Sequence, residues 1–373
     1  MGAGSETTVA DPLFTPVPLG DVVLPNRVAV APMTRISATD DGRVTDRNAD
    51  YYARFARGGF SLVITEGIYP DAEYSQGYWN QPGLSTGAQA AAWRTVVDAV
   101  HRAGGAIIAQ LMHAGGQSQG NRHRDRAVGP SAVAPRGHQL SFYRGSGPFR
   151  TPRMLSLEEI AEVRHGFVAA ARRAVTAGFD GVEIHGANGY LIDQFLTDYT
   201  NQRADRYGGT VRNRVRLAAE ICADVVQAVG SEVTVGIRIS QAKVGDATHR
   251  WAGRSGDAET IFGVLGRTGV HYVHTTEPDA TAPAFGDSPL TLAEHAKRHS
   301  GTSVLANGGL ATPAAARSLI TAGAADMVAL GKPALADRDW VRAAREGRDP
   351  GSRSLTDLLA PLADIKDTEL GGR

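Results

Sequence analysis

The segment from His185 to Tyr190 carries three side chains that could act together on a polarised alkene. A short strand-like run, 181–184, ends at His185, and Asn188 and Tyr190 follow within five residues. His185 and Asn188 can donate hydrogen bonds to a carbonyl oxygen, and Tyr190 has a phenolic proton. Hydride addition to such an alkene needs donors for the oxygen and a separate acid for the carbon that becomes negative. These three residues are therefore candidate catalytic groups.

Alternating short aliphatic runs and longer amphipathic runs predict the elements that position this segment. The eight predicted strands are 27–33, 62–67, 106–113, 181–187, 233–240, 272–277, 303–309 and 326–332. Eight strand–helix units in one chain of this length predict a single α/β domain, a (β/α)₈ TIM barrel with long loops after several strands. A doubly wound sheet is the alternative, but no G-x-G-x-x-G follows the first strand. Residues 16–23, with Gly20 and Asp21 at the centre, predict an N-terminal β-hairpin that caps the barrel floor.

The alternation of side chains along the strands predicts which polar groups point into the barrel. In 233–240, Arg238 lies on the face opposite the aliphatic residues. The same alternation predicts that Gln110 on the third strand points into the barrel, as do Glu183 and His185 on the fourth. An unpaired charge buried at the mouth of the barrel would cost several kcal/mol of folding free energy, so a ligand or a partner for Arg238 is implied. The alternative for Arg238 is a buried ion pair with Glu183.

Glycines follow the last two predicted strands. Gly308 and Gly309 close the seventh strand, and Gly331 and Lys332 close the eighth. In a TIM barrel these two turns commonly bind a phosphate through backbone N–H groups and a helix N-terminus. We therefore expect a phosphate here, with Lys332 as its countercharge.

Two long segments follow strands and would lie at the mouth of the barrel. About 40 residues, 115–155, follow the third strand, where a typical connection has about 4–6. This segment predicts a lid or pocket wall, and a surface excursion or dimer contact is the alternative. The segment 241–256 follows the fifth strand, and we expect it to help set substrate choice.

Composition excludes several classes of protein. The 373 residues carry 39 Lys and Arg against 39 Asp and Glu, so no net charge attracts nucleic acid or an anionic membrane. No apolar run is long enough for a membrane span. The single cysteine, Cys222, excludes disulfides within the chain, cysteine zinc sites and iron–sulfur clusters. We expect a cytoplasmic protein, monomeric or homo-oligomeric, with a flexible N-terminus (1–12), a barrel (13–366) and a C-terminal tail (367–373).

The chain resembles the Old Yellow Enzyme family of FMN-dependent oxidoreductases over nearly its whole length. Several separated motifs carry this resemblance: Leu24-Pro25-Asn26-Arg27, Ala31-Pro32-Met33-Thr34-Arg35, Gln110-Leu111, His113-Ala114-Gly115, Thr151-Pro152-Arg153, His185 through Tyr190, Gln194-Phe195-Leu196, Asn201 and Arg203 with Tyr207-Gly208-Gly209, and the Gly331 turn. The resemblance implies an FMN-binding TIM barrel that uses NAD(P)H as co-substrate, without a metal.

Roles at the flavin ring follow from the resemblance. It implies that the backbone of Pro32 and Met33 lines the isoalloxazine edge and that the Thr34 hydroxyl donates to the ring. Gly67 would leave the plane of the ring free, and the Gln110 amide would suit the O2/N3 edge because it both donates and accepts.

Further roles are implied for the charged end of the cofactor. Arg238 would lie beside N1 and O2, where reduced flavin carries negative charge. Gly308, Gly309, Gly331 and Lys332 would hold the 5′-phosphate. The family usually has arginine in place of Lys332, so a point charge replaces a bidentate fork here.

The implied reaction is reduction of an α,β-unsaturated carbonyl or nitro compound. NAD(P)H would reduce FMN, His185 and Asn188 would donate to the substrate oxygen, hydride would go to the β-carbon, and Tyr190 would protonate the α-carbon. A flavin-dependent dehydrogenase or biosynthetic isomerase is an alternative on the same residues. More distant alternatives are a flavin-binding module without turnover and a non-redox hydrolase using Glu66, Glu183 or Glu277.

Overall fold

The chain forms a closed barrel of eight parallel strands surrounded by helices, in a computed structural model that describes residues 11–370. The strands are β1 (Val17–Leu19), β2 (Val22–Leu24), β3 (Val28–Val30), β4 (Leu62–Ile64), β5 (Ala106–Leu111), β6 (Val128–Gly129), β7 (Arg153–Met154), β8 (Gly181–Asn188), β9 (Thr234–Lys243), β10 (Tyr272–Thr276), β11 (Ser303–Asn307) and β12 (Met327–Leu330). The barrel closes in the order β3-β4-β5-β8-β9-β10-β11-β12. The predicted TIM barrel is confirmed.

Helices follow the strands around the outside of the barrel. They are α1 (Asp46–Arg57), α2 (Gly87–Arg102), α3 (Leu157–Ala177), α4 (Leu191–Leu196), α5 (Val211–Arg214), α6 (Arg216–Val229), α7 (Arg254–Gly266), α8 (Leu292–Ser300), α9 (Pro313–Thr321), α10 (Lys332–Ala336), α11 (Trp340–Arg345), α12 (Leu355–Leu359) and α13 (Asp367–Leu370). Sequence signals mark several starts: Ser156 accepts from the backbone N–H of Glu159 at 3.2 Å, which caps α3. Within the described residues, no helix is long and apolar enough to cross a membrane.

Two apolar cores hold the strands in place. Val235, Ile237 and Ile239 belong to the outer core between strands and helices, as their alternation predicts. The inner core fills the barrel below its mouth and includes β1 and β2 residues such as Leu19. The carbonyl of Leu19 accepts a hydrogen bond from Thr234 at 2.8 Å. The predicted hairpin therefore caps the barrel floor, as expected.

Several strands are shorter than predicted. The first predicted strand, 27–33, pairs only over Val28–Val30, and the seventh ends at Asn307 rather than at residue 309. Gly308 and Gly309 have φ angles of 131° and 67°, which an extended strand does not allow. The residues that leave the strand ladder at these points turn toward the mouth of the barrel, where they line a cavity.

Both ends of the described part of the chain, residues 11–370, pack against the barrel. Residues 1–10 of the expected flexible N-terminus lie outside the described residues. Asp11, the first described residue, accepts a hydrogen bond from Arg317 at 2.6 Å. The segment assigned to a C-terminal tail contains α13 in its described part. There the buried carboxylate of Glu369 pairs with the buried guanidinium of Arg35 at 2.6 Å. This pair ties the C-terminal segment to the loop that follows β3.

Candidate active site

One cavity at the carboxyl ends of the barrel strands is lined by all thirteen residues predicted for catalysis or cofactor binding. The cavity holds about 530 Å³, within the usual range of about 300–1,000 Å³ for small-molecule sites. Residues from eight different strand ends converge here because parallel strands in a barrel end at the same face. The structure therefore brings together the whole candidate site.

A fully buried carboxylate, Glu183, lies one layer below the cavity. It accepts hydrogen bonds from Gln110 at 2.8 Å and from the hydroxyl of Tyr272 at 3.1 Å. Nδ1 of His274 lies 2.8 Å from the same carboxylate. Burial lowers the pKa of His274, so the neutral ring donates its Nδ1 hydrogen to Glu183. Glu183 is satisfied by these three groups.

Arg238 does not form the ion pair with Glu183 that the sequence left open. Its Nη2 donates to Thr276 at 3.1 Å and to the side-chain oxygen of Asn307 at 2.8 Å. Its Nε is buried and has no partner among the described residues. Burial lowers the pKa of Arg238 to about 10, which reflects the cost of an incompletely compensated cation. The guanidinium therefore faces the cavity in need of an electronegative ligand.

The turn after β8 presents the three candidate catalytic residues. Asn188 has a left-handed φ of 62°, and its backbone N–H donates to Ser240 at 2.8 Å while its carbonyl accepts from Gln117 at 2.9 Å. These bonds hold the strained turn, which aims the Asn188 side chain and Tyr190 at the cavity. The ring of Tyr190 packs 5.0 Å from that of His185. All three groups line the same cavity.

Burial controls the charge of His185. The ring is 3% exposed, and burial, followed by the nearby positive charge of Arg238, places the pKa of His185 well below its ordinary value. His185 is therefore neutral at physiological pH. It can polarise a substrate oxygen by a hydrogen bond without bringing a second positive charge next to Arg238.

Glycines shape the ends of the cavity. A Cβ at Gly308 would lie 1.8 Å from the carbonyl oxygen of Glu277, so no larger residue fits this turn. A Cβ at Gly67 would lie 2.6 Å from the sulfur of Met112, which also lines the cavity. Lys332 begins α10 at the exposed side. Backbone and one lysine thus line the end of the cavity where the sequence predicts a phosphate.

The long segments contribute walls, some of which the sequence did not indicate. Leu140 and Tyr143 of the segment 115–155 line the cavity, as does Val244 of 241–256. Leu355 and Leu359 of α12 also line the cavity. No sequence signal predicted this role for α12. Part of the segment 115–155 is therefore a pocket wall.

The hydrolase alternative lacks its carboxylate pair. Glu66 and Glu183 are fully buried and hydrogen-bonded, and neither lines the cavity. Glu277 is the single acidic residue among the described residues that line the cavity. Cleavage of a glycosidic bond by the usual mechanism requires two carboxyl groups across the cleft.

Comparison with known proteins agrees with this geometry. Residues 12–350 match the protein family described as the NADH:flavin oxidoreductase / NADH oxidase family. The chain belongs to this family. FMN, the cofactor expected from the sequence, and the Old Yellow Enzyme resemblance are confirmed with it.

Individual relatives extend the match. A Leishmania infantum protein named "Probable flavin mononucleotide-dependent alkene reductase" is 36% identical over 356 residues, 93% of either chain. An NADH oxidase of Thermoanaerobacter brockii is 34% identical over 90% of this chain, which spans about half (51%) of that oxidase. The solved old yellow enzyme homologue from Zymomonas mobilis has a TM-score of 0.81 and 31% identity, covering 97% of this chain and 96% of its own.

The residues present at the mouth of this family member fit FMN. The buried Nε of Arg238, which has no hydrogen-bond partner among the described residues, can donate to an electronegative edge of the flavin ring. The turns at Gly308 and Gly309 expose backbone that a phosphate can approach, and Lys332 adds a positive charge. A cavity that is mainly apolar between these two ends suits the isoalloxazine ring system.

A second buried carboxylate, Glu66, supports the loop that carries Thr34. Its Oε2 accepts from the backbone N–H groups of Arg35 at 2.8 Å and Ile36 at 3.2 Å, and its Oε1 accepts from Tyr52 at 3.2 Å. Burial outweighs these bonds and raises the pKa of Glu66 to about 7. The folded protein therefore binds this proton more tightly than the unfolded chain does.

This raised pKa predicts a pH-dependent stability. Stability linked to Glu66 is fully present below about pH 4.5 and is lost as the pH rises through about 7. Between these values the free energy of unfolding of the wild type should fall by about 3 kcal/mol relative to Glu66→Gln, at 1.36 kcal/mol per pKa unit. Denaturant titration of both proteins over this pH range measures the difference. Glu259→Gln, which alters an exposed carboxyl on α7, should follow the wild type; equal slopes for wild type and Glu66→Gln would contradict the prediction.

Proposed function

We propose that this protein is an ene-reductase that takes its reducing equivalents from NAD(P)H and reduces an α,β-unsaturated carbonyl or nitro compound. The observation that carries this proposal is that His185, Asn188 and Tyr190 line one cavity, which Arg238 also faces. A similar protein with "alkene reductase" in its name supports the choice of substrate class. The substrate is a small molecule, and neither nucleic acid nor membrane is part of the reaction.

FMN would occupy the cavity between its two polar ends. The chemistry that bound FMN supplies is hydride transfer, from the nicotinamide and then to the β-carbon of the alkene. The residues that would hold the ring system are Pro32, Met33, Thr34, Gly67, Gln110 and Arg238. The residues that would hold the 5′-phosphate are Gly308, Gly309, Gly331 and Lys332. Arg238 would favour negative charge on the ring edge beside it, because its cation is buried and only partly compensated.

His185 and Asn188 would bind the carbonyl or nitro oxygen of the substrate. Hydrogen bonds to this oxygen withdraw electron density from the β-carbon and stabilise the negative charge that develops on the oxygen. The Asn188 donor is held in place before the substrate arrives, since its backbone is bonded on both sides. Little reorganisation is then needed during the reaction.

Tyr190 would protonate the α-carbon. A phenol with an ordinary pKa near 10 is a weak acid at pH 7, and burial raises the pKa of Tyr190 further. The transfer is nevertheless favourable because a carbanion next to a carbonyl is a much stronger base than a phenolate. A hydrogen bond with Tyr78 and the positive charge of Arg238 partly offset the effect of burial.

A pair of half-reactions tests this function. Purified protein loaded with FMN should lose its visible flavin absorbance on anaerobic addition of NADH or NADPH, and regain it on addition of 2-cyclohexenone. Cyclohexanone, which lacks the alkene, is the matched control and should leave the absorbance low. Failure to bind FMN would contradict the proposal. Loss of absorbance without recovery would reject enones as oxidants and favour the dehydrogenase or isomerase alternative.

A further inference from the structure

A pair of buried tyrosines lies at the proposed acid. Tyr78 follows β4 in the chain, and its side chain is 3% exposed. Its Oη lies 2.5 Å from Oη of Tyr190. Tyr190 lines the cavity, and Tyr78 stands behind it with its ring packed 4.7 Å from the ring of Tyr143. The hydroxyl of Tyr78 is thus accessible to the reaction only through Tyr190.

The hydrogen-bond partners determine which phenol donates. Each phenol carries one hydrogen and can donate once. Among the described residues, Tyr190 is the single hydrogen-bond partner of the Tyr78 hydroxyl. If Tyr190 donated to Tyr78, the hydrogen of Tyr78 would be buried without an acceptor, at a cost of about 1–3 kcal/mol. If Tyr78 donates, both hydroxyls are satisfied and the hydrogen of Tyr190 is free to point into the cavity.

We propose that Tyr78 is a positioning residue that donates its hydroxyl hydrogen to Tyr190, aims the Tyr190 hydrogen at the substrate and stabilises the phenolate left behind. This inference rests on the proposed function, because it needs Tyr190 as the acid. In the step itself the electron pair of the substrate carbanion forms the new C–H bond at the α-carbon. The O–H bond of Tyr190 breaks, and its electron pair stays on Oη as phenolate. Water entering the open cavity later returns the proton.

The pKa shifts of the two phenols agree with Tyr78 as the hydrogen-bond donor and Tyr190 as the acid. The hydrogen bond from Tyr78 lowers the pKa of Tyr190, in opposition to burial. Burial first, and then the neighbouring Tyr190 and Tyr143, place the pKa of Tyr78 well above 10. Tyr190 is therefore the phenol that gives up its proton, and Tyr78 keeps its own and continues to donate.

The experiment compares rapid kinetics of the enone half-reaction in the wild type, Tyr78→Phe, Tyr190→Phe and the double variant, all loaded with FMN. Loss of a hydrogen bond to a charged group should slow Tyr78→Phe by about tenfold to a hundredfold. Because Tyr78 acts through Tyr190, the double variant should be no slower than Tyr190→Phe. Tyr69→Phe removes another buried phenol oxygen, bonded to Gln89 at 2.7 Å, and should keep the wild-type rate.

A solvent deuterium isotope effect separates proton delivery from a structural role. The effect on the enone half-reaction should be larger in Tyr78→Phe than in the wild type or Tyr69→Phe, because proton transfer becomes more rate-limiting. Wild-type speed in Tyr78→Phe with a slow Tyr190→Phe would overturn this inference alone. So would a further loss of rate on adding Tyr78→Phe to Tyr190→Phe. Wild-type speed in Tyr190→Phe would instead overturn the acid in the proposed function. Thermal unfolding of all variants shows whether any has lost its fold.

Discussion

Replacement of Tyr190 by phenylalanine is expected to slow the reduction of 2-cyclohexenone by about 10²- to 10⁴-fold, the usual contribution of a positioned general acid. The variant keeps the ring that packs against His185 and removes only the hydroxyl. Reaction with NAD(P)H should change far less, because hydride leaves the nicotinamide without a proton from the protein. Stopped-flow measurement of each half-reaction separately gives both rates.

The control for this variant is Tyr207→Phe. Tyr207 is 1% exposed, and its hydroxyl donates to Glu220 at 2.7 Å, away from the cavity. It should reduce the enone at close to the wild-type rate. Deuterium arriving at the α-carbon from heavy water at the wild-type rate in Tyr190→Phe would show that another group supplies the proton.

The strand alternation explains why much of the site could be predicted from the sequence. A period of two assigns each strand residue to one face, and a closed barrel has only an inside and an outside. The inward positions of Gln110, His185 and Arg238 follow from these two facts alone, and the structure confirms all three. The glycine turns after β11 and β12 lie at the same mouth for the same reason.

Contacts between loops could not be predicted in the same way. Tyr78 and Tyr190 are 112 residues apart, and the segment around Tyr78 has no regular period that would orient its side chain. The hydrogen-bond partners of Arg238 could not be predicted either, because the sequence left an ion pair with Glu183 open. The structure instead bonds Arg238 to Thr276 and Asn307, two uncharged residues of β10 and β11. Side-chain reach between neighbouring strands decides such pairings, and alternation alone does not encode it.

A buried ion pair under the catalytic turn is another contact of this kind. Nζ of Lys243 lies 2.6 Å from the carboxylate of Asp193, with the two side chains 4% and 0% exposed. The same carboxylate accepts from the backbone N–H of Gly189 at 2.6 Å. Lys243 ends β9 opposite Asn188, and the next residue, Val244, donates its N–H to the Asn188 carbonyl at 3.1 Å. The pair therefore joins the segment 241–256 to the turn that carries Asn188 and Tyr190.

Removing one charge of this pair should lower the free energy of unfolding by about 3–5 kcal/mol, because the remaining charge is left buried without its partner. Asp193→Asn and Lys243→Met are the single variants, and the double variant should recover most of the loss since it buries no charge. Arg348→Met breaks an exposed pair with Glu346 and should change stability little. Denaturant unfolding measures all four proteins against the wild type. Losses in the double variant equal to the sum of the two single losses would show that the two residues stabilise the fold independently.

With the turn relaxed, the double variant should still reduce 2-cyclohexenone more slowly than the wild type, since Gly189 keeps only a neutral amide as its acceptor.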